Sequence, residues 1–213
     1  MLQNQTEEEF ADSRFQVLSE LTRLRQLCCD PALVYENYEG GSAKLDLCIE
    51  LIQSAVESGH KILLFSQFTS MIEILTARLQ EESISCFVLQ GSTKKEQRAQ
   101  MVEQFNRDDT SVFCISLKAG GTGLNLTGAD IVIHYDPWWN VAVENQATDR
   151  AHRIGQKNVV TVYKLIAKGT IEEKIIKLQQ MKKELAEEIL SGDEIKTASF
   201  QREELLELLE ERF

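Results

Sequence analysis

The chain has 213 residues, 43% of them hydrophobic and 27% charged, with 2 prolines and a formal net charge of −11. That suits one medium domain with appendages and excludes a disordered tail; no apolar run reaches the roughly 18 residues of a membrane helix, and the polar, acidic start is no secretory signal, so no membrane partner is expected. The acidity taken whole argues against nucleic acid, but residues 91–157 hold eight acids and eight bases, so a local DNA groove is not excluded.

From about residue 14 to 28, Val17, Leu21, Leu24 and Cys28 recur at helical spacing, and Pro31 ends that helix. Gly40 and Gly41 mark a loop, after which Ser42 is a candidate N-cap for a helix with Leu45, Ile49, Ile52 and Val56 on one face. Ile62 to Phe65 is a continuous apolar run, as in a strand covered on both faces. Ser70 and Glu73 have capping-box spacing for a helix carrying Ile72, Leu75 and Leu79. Ile84, Cys86 and Val88 alternate like a strand, and residues 95–106 read as a helix. Val112 to Ser116, Ile131 to His134 and Val159 to Leu165 complete the strands, with a helix over about 141–152 between the last two. Thr170 and Glu173 again have capping-box spacing, heading a helical stripe of Ile171, Ile175, Leu178, Leu185 and Ile189. Gly192 interrupts it, and residues 200–212 read as a short acidic helix. Alternating strands and helices predict an α/β fold, a three-layer α/β/α stack on a mainly parallel sheet, with ligands beyond the carboxyl ends of the strands.

The chemistry-bearing residues fall in those loops. Gln146, Arg150 and Arg153 share one predicted helix, and two arginines three apart there point the same way, each with a planar fork that matches phosphate oxygens. Ser116 to Leu126 follows a strand and holds Gly120, Gly121 and Gly123 within four residues, so its amides can approach a phosphate, with Lys118, Thr122 and Asn125 as further donors. A purely structural turn fits that segment equally. Ser66, Gln67 and Thr69 either bond a nucleic-acid backbone or cap the following helix, and Ser92 and Thr93 either touch a phosphate or make a turn. Trp138 and Trp139 are read as packing that braces the helix beginning nearby. The 5 cysteines, Cys28, Cys29, Cys48, Cys86 and Cys114, are odd in number and form no C-x-x-C pair, so they read as buried reduced thiols. His60, His134 and His152 lack metal-ligand spacing, and no metal site is expected.

Taken in order, these segments resemble the second lobe of the Swi/Snf family of helicase-like ATPases, within helicase superfamily two, over about residues 14–190. The Leu24 to Pro31 segment looks like the motif that opens this lobe, Phe65 to Phe68 like motif IV, Ser116 to Leu126 like motif V, and Gln146 to Gln156 like motif VI. Asp30 stands where many members have His, and Val141 where many have Pro. The resemblance implies an N-terminal helical segment over 1–43, a RecA-like lobe over 44–167, and a brace helix with a short acidic helix over 168–213. It implies catalytic roles for Arg150, Arg153 and Gln146, nucleotide contacts from Gly121, Gly123 and the two arginines, and DNA contacts from Ser66, Gln67, Ser92, Ser116, Lys118, Gly120, Thr122 and Asn125. Double-stranded DNA and the first ATPase lobe of the same protein are the implied partners. The chain contains neither G-x-x-x-x-G-K-[ST] nor D-E-x-H, so ATP with Mg2+ is expected to be held mainly by that first lobe, and this chain alone to be inactive. The run Cys28 to Tyr38 resembles bacterial members, which implies a cytoplasmic, nucleoid-associated protein.

Overall fold

The computed structural model describes residues 7–120, 123–153, 155–156 and 158–189, with the side chains of 7–15, Lys118 and 184–189 outside that description. Helix α1 (Glu7–Cys29) starts a full turn or more before the apolar periodicity. A single 3-10 turn (Pro31–Leu33) follows, with Asp30 Oδ1 accepting from Ala32 N. Helix α2 (Ala43–Glu57) begins on the predicted cap, Ser42, whose side chain accepts from Leu45 N.

Five parallel strands make one sheet: β1 (Ile62–Ser66), β2 (Cys86–Leu89), β3 (Val112–Ser116), β4 (Ile131–His134) and β5 (Thr161–Lys164), in the order β2-β3-β1-β4-β5. Strand alternation divides the core in two. Ile62, Leu64, Cys114 and Ile133 face a cluster with Ile52 of α2 and Met71 and Leu75 of α3 (Thr69–Glu81). Leu63, Phe65, Phe113 and Val132 face the other way, onto Phe105 of α4 (Lys95–Arg107) and Ala147 of α6 (Val141–Thr148). The sheet is thus covered on both faces, which is why β1 reads as an unbroken apolar run. A short α5 (Leu117–Gly120) opens the glycine-rich segment, and α7 (Ile171–Ile189) packs Ile171, Ile175 and Leu178 on Leu21 of α1.

Three local expectations are corrected. The capping box at Ser70 and Glu73 does not form: α3 starts at Thr69, the cap position is Phe68 and no side chain caps it. The Ser66 hydroxyl accepts from Phe68 N, which turns the chain into the helix one residue early. The helix expected to reach 152 ends at Thr148, so Arg150 and Arg153 stand in the turns beyond it. There Arg150 O accepts from Leu126 N, a bond that draws the chain out of helical register. Strand β5 is shorter than expected and all four of its residues are exposed at the sheet edge. The box at Thr170 forms in a stretched version: Thr170 Oγ1 accepts from Glu172 N, while Glu173 accepts from Gly169 N. All five cysteines are free, three buried and two (Cys28 and Cys86) half-buried. The predicted stretch 200–212 and Gly192 lie outside the described residues. Among the described residues no helix is long and apolar enough to cross a membrane.

Candidate functional site

Strand register sets the site. Ser66 lies level with Ser116, Phe65 with His134, and Leu89 with Ile115. The loops after β1, β2, β3 and β4 therefore leave one rim of the sheet together, and the sequence segments that carry polar chemistry meet there.

A buried carboxylate organises the first two loops. Asp136, just past β4, accepts from Ser66 Oγ at 2.6 Å and from Gln67 N at 3.2 Å. Burial raises its pKa above the usual carboxylate value, against the pull of Ser66, Arg25, Lys44 and the Gln67 amide. Arg25 reaches in from α1, 3.8 Å from Asp136, and donates to Gln67 Oε1 at 2.8 Å and to Pro137 O. Its guanidinium lies 4.9 Å from the Trp139 ring and 5.7 Å from that of Phe68. With Oε1 taken, Gln67 Nε2 is left buried and without a partner among the described residues. Arg25 lies in the Leu24 to Pro31 segment and Asp136 just before the two tryptophans, but spacing assigns neither a role, because their partners lie 42 to 112 positions away.

The second element is the arginine segment. Gln146 is exposed on α6 and Arg153 is exposed beyond it, whereas Arg150 is only 3% exposed. Arg150 Nε has no hydrogen-bond partner, and no carboxylate lies within ion-pair reach of this guanidinium among the described residues. Burial, with the neighbouring Arg153 charge, lowers its pKa from the ordinary value against the opposing pull of Asp149. The segment is laced to the exit of the glycine-rich loop by Leu126 N to Arg150 O and by Gln156, whose amide donates to Ala129 O at 2.7 Å and more weakly to Thr127 O and Ala151 O. His134, at the end of β4, holds α6 from below through Thr148 Oγ1 at 2.9 Å and stacks on Phe65. Glu144 is buried on the same helix, accepts from Trp138 N and Gln179 Nε2, and is ion-paired with Lys164. Trp138 and Trp139 thus serve the bracing expected of them, one packed on the sheet-side core and the other against α1 and α7.

The third element is an open groove of about 680 Å³ between α4 and the glycine-rich segment, lined among others by Thr93, Lys95, Arg98, Gly123 and Asn125. Arg98 donates to Thr93 O at 2.8 Å, Gly91 O at 3.0 Å and Gln90 O at 3.3 Å, which fixes the loop that presents exposed Ser92. Asn125 is exposed at the opposite wall, and Gly123 has φ +53°, a conformation that suits glycine.

Ser66 and Ser116 do not join these walls. Both are buried, and the Ser66 hydroxyl is spent on Asp136 and on Phe68 N, so the expectation that they touch DNA through their side chains is corrected. Lys118 and Gly120 lie in α5 with the lysine side chain undescribed, and Gly121 and Thr122 lie outside the described residues.

The helicase conserved C-terminal domain family matches residues 43–155. An uncharacterized ATP-dependent helicase of Mycoplasma pneumoniae is 45% identical over 93% of this chain and 19% of its own length. The putative ATP-dependent helicase/translocase YwqA of Bacillus subtilis is 45% identical over 83% of this chain and 20% of its own. The chain therefore spans about a fifth of the length of these relatives. Among solved structures, the Sulfolobus solfataricus SWI2/SNF2 ATPase core in complex with dsDNA superimposes with a TM-score of 0.73 at 34% identity, covering 95% of this chain and 43% of that one. A parallel five-stranded sheet, motif loops gathered at one rim and these likenesses agree: the chain belongs to the helicase conserved C-terminal domain family and is a second, RecA-like lobe of the Swi/Snf type.

Proposed function

We propose that this lobe works in a two-lobed, ATP-driven translocase on double-stranded DNA, in the bacterial cytoplasm. The observation that carries the reading is Arg150. A buried guanidinium with no ion-pair partner, only the more distant charge of Asp149, is costly unless an anion arrives, and it stands at the rim with Arg153 beside it. A γ-phosphoryl group held by the first lobe supplies that anion when the lobes close; the two arginines then balance the charge that builds in transfer. Gln146, on the preceding helix, and Gly121 and Gly123 complete this lobe's share of the nucleotide contacts.

DNA is gripped by its backbone, through Gln67, Ser92, Lys118, Gly120, Thr122 and Asn125. Such contacts carry little sequence information, so binding is largely sequence-independent. The dsDNA in the Sulfolobus complex and the printed helicase and translocase names of the relatives support this reading. The Mg2+ that accompanies ATP is assigned to the first lobe, beside the phosphates it neutralises.

The test is ATP turnover, with and without duplex DNA, of this 213-residue chain and of the full-length protein that contains it. DNA-stimulated turnover by the full-length protein and none by the lobe is the expected result. Turnover by the lobe alone means that a complete nucleotide site lies within it, and the reading falls.

A further inference from the structure

Arg25 makes contacts that the proposed chemistry does not use. It comes from α1, outside the sheet, yet it is 3% exposed and ends between two loops. One guanidinium nitrogen binds Gln67 Oε1, in the loop after β1; another binds Pro137 O, in the loop after β4. Its face lies over Trp139, immediately before Asn140, which caps α6 by accepting from Ala142 N. One planar group thus joins the amide proposed to meet DNA to the loop that launches the helix leading to Arg150.

The two loops are also joined by Asp136, next to Pro137, whose carboxylate accepts from Ser66 Oγ and Gln67 N. Helix α6 is tied from its far side by Gln179 of α7 through Trp138 O and Glu144. What Arg25 adds is the link through the Gln67 side chain. It sets the Gln67 amide so that Oε1 is occupied and Nε2 is left as an unpartnered buried donor. An acceptor that engages Nε2 strains or relaxes the same guanidinium that braces the tryptophan loop.

We infer that Arg25 is a positioning residue that couples the DNA-contacting loop after β1 to the arginine segment beyond α6. The inference rests on the proposed function, and it concerns transmission between the two sites rather than occupancy of either. Lysine in its place keeps the positive charge beside Asp136 but has no planar fork, so it cannot hold Gln67 Oε1 and Pro137 O together while stacking on Trp139.

The experiment compares Arg25→Lys with the unaltered full-length protein in ATP turnover with and without linear duplex DNA, in DNA affinity and in thermal unfolding. Arg23→Lys, at an exposed position on the same helix, is the control. Turnover with DNA is expected to fall more than turnover without it, so that the stimulation ratio drops by roughly 5-fold or more, the low end of the usual coupling between sites. Trp139→Phe, which weakens the stack and keeps an aromatic ring, is expected to lower the same ratio by less. An unchanged ratio in Arg25→Lys overturns the inference, as does a proportional fall of basal and stimulated rates with lost stability, which marks a merely structural residue. If Arg25→Lys does not fold, Trp139→Phe decides on the same ratio. A full-length protein that DNA never stimulates sinks the proposed function, and this inference with it, so the two failures are told apart.

Discussion

Ser66 Oγ donates to Asp136 Oδ1 at 2.6 Å, and so closes the ends of β1 and β4 across 70 positions of sequence. The acceptor is buried, and its other close partners are the Gln67 amide and the more distant Arg25 guanidinium. Ser66→Ala leaves that carboxylate one donor short. Loss of a hydrogen bond to a charged buried group costs about 1.5–3 kcal/mol. Urea unfolding of the chain should show that loss, while DNA affinity stays close to the unaltered value, because the hydroxyl faces inward. A serine variant of normal stability that has lost DNA affinity contradicts this placement.

Burial holds His134 neutral and lowers its pKa from 6.5 to about 4. Above pH 6.5 both folded and unfolded states carry the neutral ring, and the residue adds no pH dependence. Between 6.5 and about 4 the unfolded chain takes up a proton that the folded chain refuses, so stability falls as pH falls. The loss is complete below about pH 4 and amounts to about 3 kcal/mol. Carboxylates titrate in the same range, so the histidine's share is read as the difference from His134→Gln, which cannot protonate. If both proteins lose stability equally between neutral pH and about pH 4, His134 is not the source.

Arg150 is predicted to trade stability for activity. Methionine matches its length without a charge, and replacing a buried unpaired cation by an apolar group leaves stability unchanged or improves it. In the full-length protein the same Arg150→Met change should lower ATP turnover by roughly 10³- to 10⁵-fold, the range for a residue that neutralises transferring phosphate. Arg153→Ala should do likewise with DNA affinity nearly intact. Near-normal turnover in either variant removes the arginines from the nucleotide site.

Lys118 is assigned to phosphate rather than to bases. Lys118→Ala should weaken binding to all duplex sequences alike and reduce the slope of log affinity against log salt by about 1. Titrations over a series of salt concentrations measure this. An unchanged slope places the ammonium away from the DNA backbone.

Much of this protein is written locally in its sequence. The apolar run at Ile62–Phe65 announces a doubly covered strand, and Ser42 and Thr170 cap the helices they were expected to cap. Periodicity and caps act within a few residues, so they survive reading in one dimension. The failures have one local and one tertiary origin. The capping-box spacing at Ser70 and the helix pattern through 152 were overridden by Ser66 bonding to Phe68 N and by Leu126 bonding to Arg150 O.

What the sequence by itself determined is the order of strands and helices, the family and the set of loops that carry the chemistry. What only the tertiary structure decided is which of those side chains face outward. Ser66 and Ser116 look like surface donors in the sequence, and folding buries both. Arg25 looks like one basic residue on a helix face, and folding puts it between Gln67, Pro137 and Trp139. The physical reason is that a polar group's role depends on its partners, and strand register and helix packing choose partners that lie far off in the chain.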